Sequence, residues 1–476
     1  MSSSLDRRKF LQRGAVITAG TMLASGTHAL AAHGALAAPG RRGQELKAPD
    51  NGGYGPIAPA KDMTTGETLL WLPAGFEYAS FGHEASFATP RGLPARGSDG
   101  HPTPGRHDGM ATFATGTPQV IRLVRNHEQG YAPTPTATRS YDKALVGDRD
   151  DAYDPLAAGG TTTLTFDTSE LMLTDSFISL NGTSVNCAGG LTPWGSWLSC
   201  EETVNGTQNG FTKNHGYIFE VPAHQDGPVE NPAPYTAMGR FAHEAVAVDP
   251  ATGIVYETED SGNTSGFYRF LPAEPGNLAA GGVLQMLAVK EQPQMQTYTG
   301  VSNRVGNPMP VEWVTIDDPD PAAITTESVY NQGAVKGGAA FARLEGCWYD
   351  GGSVFFNATS GGDAGAGQVW EYRPRGRSGG QLILLFESPS AEVLDAPDNL
   401  TVSPRGGLVL CEDGGGEQFV RGLNERGEIF DFAKNSLSDA EFAGACFSPD
   451  GDVMFVNVQT PGVSFAIRGP WEKGAL

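Results

Sequence analysis

NCAGGLTPWGSWLSCEET, residues 186–203, reads as a β-hairpin of two short strands around a turn at Pro193, Trp194 and Gly195. An antiparallel hairpin begins and ends on one rim of its sheet. Cys187 at its start therefore faces the carboxylate pair Glu201 and Glu202 at its end.

The same pattern returns along the chain. The stretch 244–250 turns into 253–259, 345–351 into 353–357, 398–404 into 408–413, and 443–449 into 453–457. Behind the hairpins comes a Gly-led aromatic strand: GYIFEVP at 216–222, GFYRFLP at 266–272, GQVWEYRP at 367–374, GEIFDFA at 427–433 and GVSFAI at 462–467. Fourth strands are predicted at 234–239, 283–289 and 382–387. A fainter first unit runs through 108–113, 120–128, 160–166 and 175–180. Short strands repeating in fours predict an all-β fold, a six-bladed β-propeller with four-stranded antiparallel blades and surface insertions. The last unit lacks its fourth strand, which the orphan segment 69–81 can supply so that no edge stays open. The stretch 290–340 reads as an insertion over one face.

Composition agrees with this reading. The chain has 476 residues, 39% hydrophobic and 18% charged, and its 64 Gly and 33 Pro favour turns over long helices. A formal net charge of −22 repels nucleic acid and anionic lipid and leaves carboxylates to spare for hard cations. Solubility alone accounts for most acids of such a chain. The five cysteines contain no CxxC pair, and their odd number leaves at least one thiol unpaired. Cys200 and Cys411 lie mid-strand among apolar residues and read as core thiols.

Asp6-Arg7-Arg8-Lys9-Phe10-Leu11-Gln12, a mildly apolar run and Ala35-Leu36-Ala37 have the form of a twin-arginine export leader. The predicted organisation is a leader over 1–37, a linker over 38–65 and one propeller domain over 66–476. The implied location is periplasmic or secreted, with the twin-arginine translocase as transient partner. No membrane span is expected in the mature chain, which reads as a monomer.

The site emerges from positions that the repeat does not keep apolar. Six residues before the turn, successive units carry Cys187, Glu244, Glu345 and Asp398. Asp108 sits similarly in the first unit, and the last has Ala443 with Glu441 nearby. The second strands end on Glu128, Glu201 and Glu202, Glu257 and Glu259, Asn357, Glu412 and Asp413, and Asn457. Both sets converge on one mouth of the channel. Crowded carboxylates repel and cost several kcal/mol each to desolvate, so a cation is expected among them. Carboxylates and an amide suit Ca²⁺, and a thiolate among carboxylates suits a transition metal such as iron. Singly, each acid could instead cap its strand. Arg343, two residues before Glu345, is a bidentate donor of the kind that grips phosphate, or a partner for a rim acid.

The leader, NCAGG…WGSWLSCEET, HGYIFEVP, GRFAHEAVAVDP, the segment from Arg343 to Gly346 and NATSGGDAGAGQVWEY together resemble the PhoX family of bacterial alkaline phosphatases, across nearly the whole mature chain. The resemblance implies ferric iron (Fe3+) and calcium (Ca2+) ions in the channel and hydrolysis of small phosphomonoesters. It implies that Cys187 binds iron, that Glu202, Glu244 and Glu345 bind iron or calcium, and that Arg343 clamps the substrate phosphate. Glu128, Asp398 and Glu259 join the ligand set as rim acids. Two alternatives stand beside this: a calcium-dependent, lactonase-like propeller hydrolase, and a non-catalytic metal binder of the same family.

Overall fold

The computed structural model describes residues 46–85, 96–130, 151–376 and 379–476, so the leader over 1–37 lies outside the described residues. Three short strands lead, β1 (Ile57–Ala60), β2 (Leu70–Pro73) and β3 (Glu77–Phe81). A four-stranded sheet follows, from β4 (His107–Ala114), β5 (Val120–His127), β6 (Gly159–Asp167) and β7 (Met172–Thr183). The quoted hairpin is β8 (Asn186–Leu191) and β9 (Ser196–Glu201), completed by β10 (Ile218–Pro222).

Next come β11 (His243–Val248), β12 (Val255–Glu259), β13 (Phe267–Pro272) and β14 (Gly282–Val289). A second run has β16 (Leu344–Asp350), β17 (Ser353–Ala358), β18 (Gln368–Arg375) and β19 (Gly379–Glu387). Between them β15 (Met309–Thr315) pairs with both outer strands, β14 and β19, and joins the two runs into one nine-stranded sheet. The chain ends with β20 (Pro397–Val402), β21 (Leu408–Glu412), β22 (Phe419–Leu423) and β23 (Ile429–Asn435), then β24 (Phe442–Phe447), β25 (Val453–Val458) and β26 (Val463–Arg468).

Neighbouring sequence strands pair antiparallel within each run. The innermost strands touch in a closed circuit, β4 to β8, β11, β16, β20, β24 and back to β4. The arrangement is all-β and propeller-like. Its core lies between sheets, where alternate side chains of each strand face a neighbour. Phe267 stacks on Phe356 with centroids 4.2 Å apart, and Phe166 meets Phe455 edge-on at 5.1 Å. Each such fully buried ring contributes roughly 1.5–3 kcal/mol relative to exposure.

Four expectations need restating. The stretch 234–239 is a 3₁₀ turn (Thr236–Met238) and not a fourth strand, so the second sheet has three strands. Pro232 and Pro234 lack the amide a ladder needs, and only Tyr235 donates to the sheet, to the Ile218 carbonyl at 3.0 Å. The segment 69–81 divides at Pro73: β2 extends the sheet of β20–β23 while β3 is the fourth strand beside β26. Of the stretch read as linker, residues 46–65 include β1, which pairs with β2, and Lys47 bridges to Ile429. The insertion over 290–340 carries β15 and a short helix, α1 (Val329–Ala334). The fully buried Arg125 of β5 donates from Nη1 to the Ser464 hydroxyl (2.8 Å) and the Gly82 carbonyl (3.3 Å), tying the first sheet to β26 and to the residue that follows β3.

Candidate metal centre

Every innermost strand slips register against its partner just after its first residues. The slips fall between His107 and Met110, Asn186 and Gly189, His243 and Val246, Leu344 and Cys347, Pro397 and Leu400, and Ala443 and Cys446. A bulge re-aims the side chain it carries. Asp108, Cys187, Glu244, Glu345 and Asp398 occupy these irregular stretches and are all buried. The residue that follows is small where strands nearly touch. A Cβ on Gly109 would lie 2.5 Å from the Ala188 Cα, one on Gly346 2.5 Å from the Leu400 nitrogen, and one on Gly444 2.3 Å from the Asp108 carbonyl. Backbones this close draw the bulged side chains together.

A second set of positions is fixed by one recurring backbone hydrogen bond. Past the second strand, an amide donates to the carbonyl two residues before the bulged position: Glu128 to Arg106 (2.9 Å), Glu202 to Val185 (2.8 Å), Asp260 to Ala242 (3.1 Å), Thr359 to Arg343 (2.8 Å), Asp413 to Ala396 (2.9 Å) and Gln459 to Glu441 (3.3 Å). Strand alternation then divides each terminal acid pair. The earlier acid turns into its own sheet. Glu201 accepts from the Gly216 amide at 2.8 Å and bonds His215 Nδ1 at 2.6 Å. Glu259 accepts from the Gly266 amide (3.0 Å) and the Tyr268 hydroxyl (2.5 Å), and Glu412 from Arg421 Nε (2.8 Å). The later residue, Glu202, Asp260 or Asp413, turns to the mouth.

Three groups of donors result, each with its ligand atoms within 4.8 Å of one another: Cys187, Glu202 and Glu244; Glu244, Glu345 and Asp398; and Asp108, Glu128 and Glu441. The first two share Glu244. Cys187 Sγ donates to Glu244 Oε1 at 3.1 Å, while Glu244 Oε2 is buried with no partner among the described residues. Burial, then Glu345 and Glu202, push Glu244 well above the usual carboxylate range. Burial also raises Cys187, with Asp108 and Glu244 adding to it, and lifts Asp398 to about 7. A bound cation would relieve all of these together and satisfy the orphaned oxygen. The donor set therefore fits metal.

Two guanidiniums stand among the acids. Arg343 donates from Nε to Asp260 Oδ2 (3.0 Å) and from Nη2 to Glu345 Oε1 (2.8 Å). Burial opposes its charge, but Glu345 and Asp260 outweigh that and hold its pKa above the ordinary value. Arg106 donates to the carboxylate and the carbonyl of Glu128.

Of the residues singled out from sequence, Cys187, Glu202, Glu244, Glu345 and Asp398 come together, and Arg343 touches Glu345. Glu128 lies with Asp108 and Glu441, which the sequence marked without placing them among the ligands. Glu259 is in none of the three groups. Asp260, Gln459 and Arg106 were missed. For Asp260 a signal existed: it stands two residues past Thr258 of β12, the same step that separates Glu202 from Cys200 in β9. All five cysteines are free and buried, Cys200 and Cys411 within apolar clusters.

The comparisons bear on this site. No curated protein matches the chain. Among solved structures, a gluconolactonase from Xanthomonas campestris is 13% identical with a TM-score of 0.41, over 88% of this chain and 98% of that one. A putative gluconolactonase is 11% identical with a TM-score of 0.38, over 87% and 98%. A putative 6-phosphogluconolactonase from Bacteroides uniformis is 11% identical with a TM-score of 0.35, over 70% and 84%. The family profile described as alkaline phosphatase PhoX matches residues 52–174 and 167–462, taking in all three donor groups and both guanidiniums. The chain belongs to the PhoX alkaline phosphatase family.

Proposed function

We propose that the protein is an exported phosphomonoesterase on a six-bladed ring, holding ferric iron and calcium at one mouth of its channel. The observation that carries this reading is the pair of donor groups sharing Glu244, whose Oε2 is buried and unpartnered. Cys187 is the one soft donor there and assigns iron to the group with Glu202 and Glu244. The all-carboxylate groups, Glu244 with Glu345 and Asp398, and Asp108 with Glu128 and Glu441, suit calcium. Glu259 is left out of the ligand set, because its sheet already supplies two donors to it. The six-bladed count rests on the closed circuit of inner strands and on the backbone bond repeated behind each of them. The twin-arginine route, a periplasmic or secreted location, a monomeric state and a small phosphate ester as partner belong to the same reading.

When bound, the cations supply Lewis acidity toward a phosphoryl group. The chain's own residues do the positioning. Asp260 and Glu345 hold the Arg343 guanidinium through Nε and Nη2, which leaves Nη1 for a phosphate oxygen. Its side chain is 37% exposed, open enough to meet a ligand entering from the mouth. Burial of the bulged carboxylates keeps water from competing for the cations. Elemental analysis paired with hydrolysis of a phosphate-ester panel tests the reading. Iron and calcium are expected, with activity lost on calcium chelation. Arg343→Ala should keep its metals and lose roughly a hundredfold in kcat/KM, as for removal of one preorganised donor. A metal-replete protein that turns over no phosphate ester would overturn the proposal.

A further inference from the structure

Each bulge faces one residue of its own second strand: Asn126, Cys200, Thr258, Asn357, Cys411 and Asn457 in chain order. All six are buried. Four of them carry an amide or a hydroxyl, and each of the four reaches past its own sheet to the next inner strand round the circuit. Asn126 Nδ2 donates to the Cys187 carbonyl (3.2 Å) and to that of Ala188 (2.6 Å). Thr258 Oγ1 donates to the Glu345 carbonyl (2.7 Å), Asn357 Nδ2 to that of Asp398 (2.8 Å) and Asn457 Nδ2 to that of Asp108 (2.6 Å). Each time an acceptor is the backbone of a residue that offers a ligand atom at the mouth. A bulge disturbs the ladder at such a carbonyl, and burial then demands a donor from elsewhere. The donors are themselves held in place. Trp197 Nε1, which can only donate, bonds Asn126 Oδ1 at 2.9 Å, and the Ser464 hydroxyl bonds Asn457 Oδ1 at 2.5 Å, so both Nδ2 groups turn to the bulge. Thr258 Oγ1 accepts from the Ala245 amide (3.0 Å), and of the two carbonyls within its reach that of Glu345 is the nearer, at 2.7 against 3.1 Å.

We propose that Asn126, Thr258, Asn357 and Asn457 are positioning residues of the metal centre, each fixing from the preceding sheet the backbone angle at which a ligand residue leaves its strand. This deepens the metal reading above and rests on it. Bonds that merely glue adjacent sheets are the plain alternative, but any carbonyl along the seam would serve that purpose, and these four reach the ligand residues. Each of the three donor groups holds at least one residue gripped in this way: Cys187 in the first, Glu345 and Asp398 in the second, Asp108 in the third. Cys200 and Cys411 take the place in the other two units, and a thiol is only a weak donor. The inner strands that follow them carry Glu244, which two groups share, and Ala443, which has no ligand atom to aim.

Asn357 offers the test, because its bond to Asp398 is the one hydrogen bond its side chain makes among the described residues. Calcium is titrated calorimetrically into the chelator-treated full chain, and iron is counted in the protein as purified. Asn357→Leu, which keeps the volume and removes the donor, should weaken calcium binding roughly tenfold or more, as for loss of a residue that orients a ligand. Its iron content, set by the group around Cys187, should stay native. Asn357→Thr, with the donor that β12 uses at the same place, should keep most of the affinity. Val354→Ala removes buried contacts from the same strand, and should lower stability while leaving calcium affinity alone. Should the leucine variant fail to fold, Asn357→Ala carries the same comparison. Native calcium affinity without the donor, or an equal loss in Val354→Ala, overturns the positioning role alone. A native chain that binds no calcium overturns the metal reading and this inference together.

Discussion

Glu244 and Glu259 both stand at the mouth end of one hairpin, yet they do different work. Glu244 sits in a bulge with one oxygen unpartnered, while Glu259 accepts from Tyr268 and Gly266. Glu244→Gln is expected to lose at least one metal per chain by elemental analysis. Glu259→Gln, which keeps an acceptor for Tyr268, should retain the full complement and lose about 1 kcal/mol of stability. Metal loss in Glu259→Gln would move that residue into the centre. Spacing from the turn made Cys187, Glu244, Glu345 and Asp398 readable, because a fixed count to the turn proline, or to Gly351 in its place, fixes a position on the strand. It could not rank Glu259 against Asp260. Neighbours on a strand point to opposite faces, and the bulge decides which face is the mouth.

The hairpins themselves were legible, since alternating apolar residues, Gly and turn prolines mark them locally. Arg106 and Gln459 were not, because their meaning comes from backbone bonds between segments of a hairpin whose ends lie outside any repeated motif. The lost strand at 234–239 and the bridging role of β15 are tertiary outcomes of the same kind: an outer edge takes whatever segment can offer amides to it. Close approach of inner strands makes a sharp prediction. Gly444 has φ +63°, and a Cβ there would sit 2.3 Å from the Asp108 carbonyl and 2.7 Å from the Asn457 amide nitrogen. Gly444→Ala should destabilise by more than about 2 kcal/mol in urea unfolding and weaken metal binding by displacing Asp108. Gly415→Ala, where nothing lies within 4 Å, should change neither.

Many buried acids, some facing the mouth and some turned into their sheets, give the whole molecule a pH signature. Asp398 rises to about 7 from the ordinary 3.8 through burial, and Glu259 and Glu412 to about 7 from 4.5. Between the unfolded and folded values the native state binds more protons than the unfolded chain. The metal-free protein should therefore lose stability as pH rises through that window. Its Tm should fall by several degrees from about pH 5 to about pH 8. The metal-loaded protein should run the other way, because protons then compete with cations for the same oxygens. Parallel slopes for the two forms would mean that the cations bind elsewhere. Beside this electrostatics stands the seam where β3, from near the start of the described chain, lies against β26, near its end. A growing polypeptide cannot draw that seam shut until its final strand has left the ribosome. The donor groups span positions 108 to 441, so no fragment that ends before Glu441 gathers them all. Any cation held at the third group is therefore expected to load only once β24, which Glu441 directly precedes, has met β4.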